Sequence, residues 1–400
     1  IPLLDAAPLI VAASRGFAEQ EGLSIVLERE TSWATLRDRI AVGQLDCAHM
    51  LAPMPLAANL GLTPLASRLC VPMALGFGGN TITVSADLAG EIAHTTPLDG
   101  ETPDAMAAGK ALAQIVSARR QASRSKLVIA VVHTHSAHYY QLAYWLAAVG
   151  VNPNLDVDLV VVPPSLTTAA MKSRQIDAFC AGEPWGTIAA ETIDARILAT
   201  NISIWRSSPE KVLAVRRDWQ EQNRDRTLAL VRAVYRAAVW CDDPHNTALL
   251  AETLAMRDLL DQAPQVLMRS LRRRRPVSRS GDPAATGFLT FANNGAAFPW
   301  LSHAAWFYAQ MVRWQQVRFA SDQLVTARST YRPDLFRAAL QSLGADQPAA
   351  NSKVEGMLTA PTAVGSSGGH LILGPDVFFD GEHFDPDDVA GYLDRLGTRV

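Results

Sequence analysis

Three histidines lie within six residues in the stretch "HTHSAH": His133, His135 and His138. The apolar run "KLVIAVV", typical of a buried strand, precedes them, and a helical pattern follows them. Imidazole can ligate a metal, transfer protons or donate an N–H group to an anion, so this cluster is the first candidate for chemistry in the chain. The simplest alternative is that these residues form the polar end of a strand.

A zinc hydrolase is the most specific hypothesis for this cluster. The HxHxDH motif of the metallo-β-lactamase superfamily has the same histidine spacing, but Ala137 stands where that motif has an aspartate. Catalytic zinc needs three or more well-placed ligands and an open position. We therefore expect no catalytic residue, no metal and no cofactor, and keep a metallohydrolase using His133, His135 and His138 as a remote alternative.

His138 favours a different interpretation, as part of an anion site. Ser136 is a candidate N-cap, which places His138 in the first turn of the following helix. Free backbone N–H groups and the positive end of the helix dipole occur there, and an imidazole N–H would add to them. We expect His133 and His135 to be polar residues at the end of the strand.

Two other stretches contain candidate site residues. In "CAGEPWG", Gly182 and Pro184 predict an irregular loop at the carboxyl end of a strand, which would place Glu183 and Trp185 at a cleft. A structural turn with a packed tryptophan is equally consistent with this stretch. Lys211, in "SSPEKVLAV", precedes an apolar run and would by itself be a solvated cation.

The elements that must position these residues alternate between helical and strand patterns. Near the start, helical patterns in "DAAPLIVAASRGFAEQEGL", "SWATLRDRIAVGQ" and "APMPLAANLGL" alternate with the strand patterns "SIVLERE" and "LDCAHML". The alternation resumes between residues 126 and 185. It predicts an α/β protein with mostly parallel sheets flanked by helices.

Two segments share one pattern, "LRDRIAVGQLDCAHMLAPMP" and "TAAMKSRQIDAFCAGEPW". Each has an amphipathic helix, a glutamine, an aliphatic residue, an aspartate, a short strand and a turn with proline. We interpret them as equivalent points of two α/β lobes, with a ligand cleft at the carboxyl ends of their strands. Amphipathic helices follow from about residue 220, and a short helix at the C-terminus is predicted to be capped by Asp385.

Composition excludes some classes of function. The net charge of −3 provides no basic field for nucleic acid, and the run Arg272–Arg275 is a local exception that we expect to be a solvated loop or helix end. No apolar run reaches 18 residues, so we predict no transmembrane helix. The four cysteines form no CxxC pair, which indicates free thiols and favours a reducing compartment.

Several stretches together resemble the nitrate- and bicarbonate-binding proteins of ABC importers. They resemble equally the related cytoplasmic nitrate/nitrite sensors that partner an RNA-binding antiterminator. The matching stretches run in order along nearly the whole chain: "RDRIAVGQLDCAHMLAPMP", "HYYQLAYWLAAVGVNP", "VVVPP", "MKSRQIDAFCAGEPW", "SSPEKVLAVRRDW" and "FDPDDVAGYLDRL". The resemblance implies a two-lobed, C-clamp-shaped type II periplasmic-binding-protein fold. We assign residues 1–82 and 190–305 to lobe I, 83–189 to lobe II, and 306–400 to a C-terminal helical extension that packs on the lobes.

The resemblance also implies a set of ligand-binding residues. These residues are Trp33, Thr35, Asn80, His138, Pro164, Ala181 and Lys211. We add Glu183 from the proline-containing loop to the predicted ligand-binding set. Lys211 discriminates between ligands, because nitrate binders carry lysine at this position and bicarbonate binders carry glutamate. Asn80 departs from the pattern, since nitrate binders have the longer glutamine there.

The chemistry of the two anions agrees with that distinction. Nitrate has only acceptors, so its site needs a cation and N–H donors, whereas bicarbonate carries an O–H group that a carboxylate would accept. We predict a non-catalytic receptor for nitrate or nitrite, with bicarbonate or another small anion as the alternative. Its protein partner would be an RNA-binding antiterminator or the membrane subunits of an ABC importer, without direct contact to nucleic acid.

The location of the protein follows from which partner it has. The free cysteines, the lack of a lipid-attachment cysteine and a fold that starts at the first residue favour a cytoplasmic sensor. The alternative is an importer receptor that is periplasmic or anchored at the outer face of the inner membrane.

Overall fold

The computed structural model describes residues 1–96, 104–273 and 287–398. The helices of these residues are α1 (Ala7–Ser14), α2 (Trp33–Ala41), α3 (Met54–Asn59), α4 (Ala86–Ala93), α5 (Ala105–Gln121), α6 (Ala137–Ala148), α7 (Thr167–Lys172), α8 (Trp185–Thr192), α9 (Asn201–Ile204), α10 (Arg217–Gln222), α11 (Arg224–Asp242), α12 (Thr247–Leu254), α13 (Pro264–Leu271), α14 (Leu301–Arg313), α15 (Ser321–Thr330), α16 (Pro333–Leu340) and α17 (Val389–Arg395). The strands are β1 (Cys47–Leu51), β2 (Leu69–Ala74), β3 (Phe77–Gly78), β4 (Asn80–Val84), β5 (Leu127–Val131), β6 (Val157–Val161), β7 (Ala178–Gly182), β8 (Arg196–Thr200), β9 (Lys211–Arg216), β10 (Leu289–Thr290), β11 (Thr362–Ala363) and β12 (Ile372–Leu373).

Two main sheets carry the fold. The first has the strand order β1–β9–β2, and both neighbours run antiparallel to β9. The second has the order β6–β5–β7–β4–β8, in which β5 is parallel to β6 and β7, while β4 is antiparallel to β7 and β8. The prediction of mostly parallel sheets is therefore wrong. Strand direction was not readable from the sequence, because strands buried on both faces have the same apolar pattern in either direction.

The two segments with a shared pattern form the same local order of elements. In one, α2 leads into β1 of the first sheet, and in the other α7 leads into β7 of the second sheet. A turn with proline follows each strand and begins the next helix, α3 or α8. β1 lies at the edge of its sheet and β7 inside its own, so the interpretation as equivalent points of two lobes stays a prediction.

The chain passes from one sheet to the other at two places that bear on the lobe boundaries. Residue 82 lies within β4, and residue 190 precedes β8, yet both strands belong to the five-stranded sheet. We therefore propose boundaries just before β4 and between β8 and β9. The C-terminal region contacts both halves, since α14 packs on α6 while α15 and α16 pack on α3 and α11.

Three local predictions are corrected by the structure. Residues 24–30, "SIVLERE", form no strand, because no other strand of the described residues pairs with them, and β1 pairs only with β9. The first helix ends at Ser14 and does not continue to Gly22. The C-terminal helix is capped by Asp388, whose side chain accepts the N–H of Gly391, and not by Asp385.

Buried apolar side chains of the strands and helices form the core, and all four cysteines are free, as predicted. Among the helices of the described ranges, none combines the length and the apolar character needed to cross a bilayer.

Candidate functional site

Lys211 is the first residue of β9, paired in register with Leu51 of β1, and its side chain is completely buried. Its ammonium group donates hydrogen bonds to Oδ2 of Asp5 at 2.8 Å and to Oε1 of Glu210 at 2.6 Å. A buried lysine needs such partners, because burial disfavours its charged form. Burial lowers the pKa of Lys211, but the two carboxylates outweigh it and raise the pKa above its usual value. Lys211 is therefore a buried cation.

Asp5 lies in a short helical turn before α1 and connects Lys211 to a histidine. Its other oxygen, Oδ1, is 3.0 Å from Nε2 of His49 on β1. Burial raises the pKa of Asp5, but Lys211 and His49 together lower it by a larger amount, so the pKa lies well below its usual value. Burial lowers the pKa of His49 to about 4 despite the carboxylate. At neutral pH this group therefore consists of an ionised Asp5 and a neutral His49.

Glu210 is the second carboxylate beside Lys211 and is also fully buried. Its Oε1 lies 3.2 Å from Nδ1 of His138, and its Oε2 accepts a hydrogen bond from Nδ2 of Asn80 at 2.5 Å. Burial raises the pKa of Glu210 to about 7, although the charge of Lys211 opposes this shift. Glu210 therefore exchanges a proton in the neutral range.

His138 and Asn80 bring polar groups from the second half of the molecule. His138 lies in the first turn of α6, and Ser136 is its N-cap, as predicted, accepting the N–H of Tyr139. Asn80 is the first residue of β4. Three atoms here lack a hydrogen-bond partner of suitable geometry among the described residues: both ring nitrogens of His138 and Oδ1 of Asn80. Burial, assisted by Lys211, lowers the pKa of His138 well below its usual value, so its imidazole is neutral.

Trp33 forms an aromatic wall next to the charged groups. It is the first residue of α2, and its ring centre is 5.5 Å from Nζ of Lys211 and 5.6 Å from the ring of His49. At this distance the ring face attracts the ammonium group.

The structure thus brings together four of the sequence-predicted ligand residues, Trp33, Asn80, His138 and Lys211. They come from α2, β4, α6 and β9, so the cluster joins elements of both sheets. A cation, an amide and an imidazole at one buried point are the groups that an oxyanion needs. Their contact with a ligand stays a prediction.

For three other predicted ligand residues, contact with a ligand also stays a prediction. Thr35 is exposed on α2, two residues beyond Trp33, whereas the cluster is buried. Pro164 is buried at the start of a helical turn that precedes α7. Ala181 is buried on β7, where it pairs with Thr81, next to Asn80.

Glu183 directs its side chain elsewhere. Its carboxylate accepts the backbone N–H and the hydroxyl of Thr187 at 3.0 Å each and the hydroxyl of Ser270 at 3.3 Å, and it pairs with Arg273 at 3.4 Å. It therefore ties α8 to the end of α13, while Trp185, the other residue predicted at this loop, is buried in the first turn of α8. The run Arg272–Arg275 was expected to be solvated, but the side chain of Arg273 is largely buried in this ion pair with Glu183. Positions 274 and 275 lie outside the described residues.

The histidine cluster does not converge on one point. Nδ1 of His133 accepts the backbone N–H of His135, whose own Nδ1 lies 3.3 Å from the hydroxyl of Tyr140 and 3.1 Å from the amide oxygen of Gln316. His138 faces the buried carboxylate cluster instead. The described parts of the chain contain no group of three or more potential ligands placed to hold a metal ion.

Sequence reasoning missed Asp5, His49 and Glu210. Neighbours in a strand point to opposite faces, so strand periodicity does not place Glu210 in one site with Lys211. Glu210 does not follow this alternation, because it lies outside the strand, between Pro209 and the first residue of β9. The only signal was the sequence "PEK" itself, with two opposite charges before an apolar strand.

A cavity of about 660 Å³ lies near this cluster, between α1, residues 22–29 and the β1 strand. Its walls are mainly aliphatic, and His49 is the member of the charged cluster that also lines it.

The chain is similar to several known proteins. Residues 1–255 match the model of the NMT1-like family. The nitrate/nitrite binding protein NrtA of Synechococcus elongatus is 31% identical over 405 residues, which cover 99% of this chain and 84% of that protein. The bicarbonate transport ATP-binding protein CmpC of Synechococcus elongatus is 29% identical over 402 residues, 99% of this chain and 54% of CmpC, so the chain spans about half of its length.

The crystal structure of the periplasmic nitrate-binding protein NrtA from Synechocystis PCC 6803 is similar in fold. Its TM-score is 0.81 at 26% identity, with 99% of this chain and 96% of that chain covered. The predicted two-lobed α/β fold of the periplasmic-binding-protein type is thereby confirmed.

Proposed function

The chain belongs to the NMT1-like family, and on this premise we propose that it is a non-catalytic receptor for nitrate or nitrite. The observation that carries the proposal is the buried ammonium of Lys211, which lies with Asn80 and His138 where elements of the two sheets meet. The NrtA proteins of similar sequence are named for nitrate and nitrite binding, which supports the same ligand class here.

The chemistry of nitrate fits this donor set. Nitrate is a planar monoanion that accepts hydrogen bonds and donates none, so it is recognised by cationic and N–H donors. Lys211 supplies the charge, Asn80 an amide and His138 a neutral imidazole whose nitrogens lack partners among the described residues. Trp33 closes one side of the site and shields it from water, which strengthens these interactions.

Bicarbonate is the second candidate, and Glu210 is the observation that favours it. An ionised carboxylate in the site can accept the O–H of bicarbonate, and the relative CmpC is named for bicarbonate transport. Lys211 argues for the anion without an O–H group, so we place nitrate and nitrite first.

We propose delivery to an ABC importer as the biological role. The relatives include transport ATP-binding proteins and a periplasmic binding protein, which supports an importer role ahead of a cytoplasmic sensor with an antiterminator partner. Cell fractionation of the full-length protein would distinguish the roles: release with the periplasmic contents supports the importer role, and retention in the cytosol supports the sensor role.

Calorimetric titration tests the ligand assignment. Nitrate, nitrite, bicarbonate and sulfate would each be titrated into the wild type, Lys211→Met and the matched control Lys172→Met, whose side chain is exposed on α7. We expect nitrate or nitrite to bind the wild type and the control equally, and Lys211→Met to lose at least tenfold in affinity, since a charge-assisted hydrogen bond contributes about 1.5–3 kcal/mol.

A second variant is needed because Lys211 also supports the fold. His138→Phe keeps an aromatic ring and removes both nitrogens without changing the charge. It should weaken nitrate by roughly tenfold, the size of one neutral hydrogen bond, while the melting temperature without ligand stays near that of the wild type. If the folded wild type binds none of the four anions, the proposed function is wrong.

A further inference from the structure

The carboxylate of Glu210 contacts all three groups that the proposed function assigns to the anion. Its Oε1 is 2.6 Å from Nζ of Lys211 and 3.2 Å from Nδ1 of His138, and its Oε2 is 2.5 Å from Nδ2 of Asn80. A carboxylate and nitrate are both planar and bear their negative charge on oxygen atoms. The side chain of Glu210 is thus hydrogen-bonded to Lys211 and Asn80 and lies against the ring of His138, in the place that a small oxyanion would take.

The geometry points to Glu210 as a built-in competitor for the ligand: an entering oxyanion replaces its carboxylate on Lys211, Asn80 and His138, and Glu210 takes up one proton as it is replaced. This inference rests on the proposed function and adds the regulation of that site by pH. In the proton step, hydronium from solvent transfers a proton to the Glu210 carboxylate: one O–H bond of hydronium breaks, the O–H bond of the carboxylic acid forms, and water is left.

The charge of the buried cluster explains why a proton must enter. Ionised Asp5 and Glu210 face one cation, Lys211, so the group already carries a net charge of −1. A bound monoanion would bring this to −2 in a site from which water is excluded, which is strongly unfavourable. Protonation of Glu210 keeps the net charge at −1 with the anion bound.

Other titratable groups facing Glu210 do not take that proton as readily. His138 on α6 and His49 on β1, beside Asp5, both have pKa values lowered by burial. The pKa of Asp5 is held well below its usual range. Cys180 on β7 has its thiol pKa raised by burial and by Glu210, so it is already protonated. Glu210, with a pKa of about 7, is the group of this set that changes charge near neutrality.

The pH dependence follows directly. The binding-competent form is the one with protonated Glu210, and apparent affinity scales with the fraction in that form. Affinity should be nearly constant below pH 6 and fall towards tenfold per pH unit above pH 8. At pH 8 about one molecule in eleven is protonated for a pKa of about 7, so the nitrate dissociation constant should be roughly tenfold weaker than at pH 6.

Calorimetry with nitrate from pH 6 to pH 9 tests the inference. At pH 8, titrations in two buffers with different ionisation enthalpies should show about 0.9 proton taken up per nitrate. Glu210→Gln keeps the size and one oxygen acceptor but cannot ionise, so it should bind nitrate with a flat pH profile, about tenfold tighter than the wild type at pH 8. The control Glu221→Gln, at an exposed glutamate on α10, should retain the wild-type profile.

The failures of the two proposals are distinguishable. Nitrate binding with a flat pH profile and no proton uptake in the wild type would overturn the role of Glu210 and leave the proposed function standing. Binding of bicarbonate but not of nitrate, with bicarbonate weakened by Glu210→Gln, would make Glu210 a ligand acceptor and overturn the inference. The absence of any oxyanion binding, in the wild type and in Glu210→Gln alike, would reject the proposed function itself. The wild-type proton count decides the inference even if the variant does not fold.

Discussion

Replacing Lys211 by methionine should destabilise the fold, and the loss should depend on pH. The change removes the only cation in contact with Asp5 and Glu210 among the described residues and leaves two buried carboxylates facing each other. At an effective dielectric constant of about 20, charges 2.8 Å apart attract by roughly 6 kcal/mol before desolvation is counted. Since the desolvation of the lysine is also removed, we expect a net loss of about 3–5 kcal/mol at pH 8.

The pH dependence separates this explanation from a loss of packing. Glu210 has a pKa of about 7 in the native protein, and without Lys211 its pKa would rise further. At pH 5.5 it is therefore protonated, one of the two opposing charges disappears, and the destabilisation should shrink by about 1–3 kcal/mol.

Urea denaturation followed by tryptophan fluorescence at pH 8 and pH 5.5 measures the effect. The control Lys172→Met removes an exposed lysine of α7 and should change the free energy of unfolding by no more than about 0.5 kcal/mol. A loss below about 1 kcal/mol for Lys211→Met at pH 8, or one of equal size at both pH values, would refute the electrostatic reasoning.

Three further outcomes are expected. The pKa of Glu210 is raised in the folded state from 4.5 to about 7. Its contribution to the free energy of unfolding, up to about 3 kcal/mol, is therefore present at pH 4 and is lost as pH rises through 7. In Glu210→Gln, the free energy of unfolding measured with urea should depend less on pH over that range. Burial is the largest influence on Glu355 and raises its pKa, but Lys353 and His303 together outweigh it and lower the pKa to about 2. Glu355→Gln should therefore cost about 3 kcal/mol at pH 7 and progressively less as pH falls from 5 to 2. Gly186→Ala should lower the free energy of unfolding by about 1–3 kcal/mol in the same urea assay, because its methyl group would meet the hydroxyl of Thr81 at 2.2 Å. An unchanged urea midpoint would contradict this.

Local elements were predictable where short-range signals agree. Helix α2, strand β1, helix α6 and strand β7 all occur where their apolar periodicity places them, and Ser136 caps α6. The family and the two-lobed fold were also recognisable, because their motifs occur in order along the chain. Such features depend on residues within a few positions of one another, or on matching stretches that can be compared one at a time.

The pairing of elements was decided by the tertiary structure. Residues 24–30 have the short apolar run of a strand but lack a partner among the described residues. Strand β4 joins β7 and β8 in antiparallel directions that its sequence does not encode. A strand exists only through hydrogen bonds to another strand, and that partner can be far away in sequence.

Some residues of the charged site could be chosen from the sequence, and others could be found only in the tertiary structure. Lys211 and His138 could be chosen from the sequence, the lysine through the resemblance and the histidine through its position at a helix start. Asp5 and Glu210 could not, because their role comes from contacts across the fold: Asp5 meets a lysine 206 residues away, and Glu210 meets an asparagine 130 residues away. The sequence by itself determined which donors the protein carries; only the tertiary structure decided that a buried carboxylate shares them, because burial and distance set its charge.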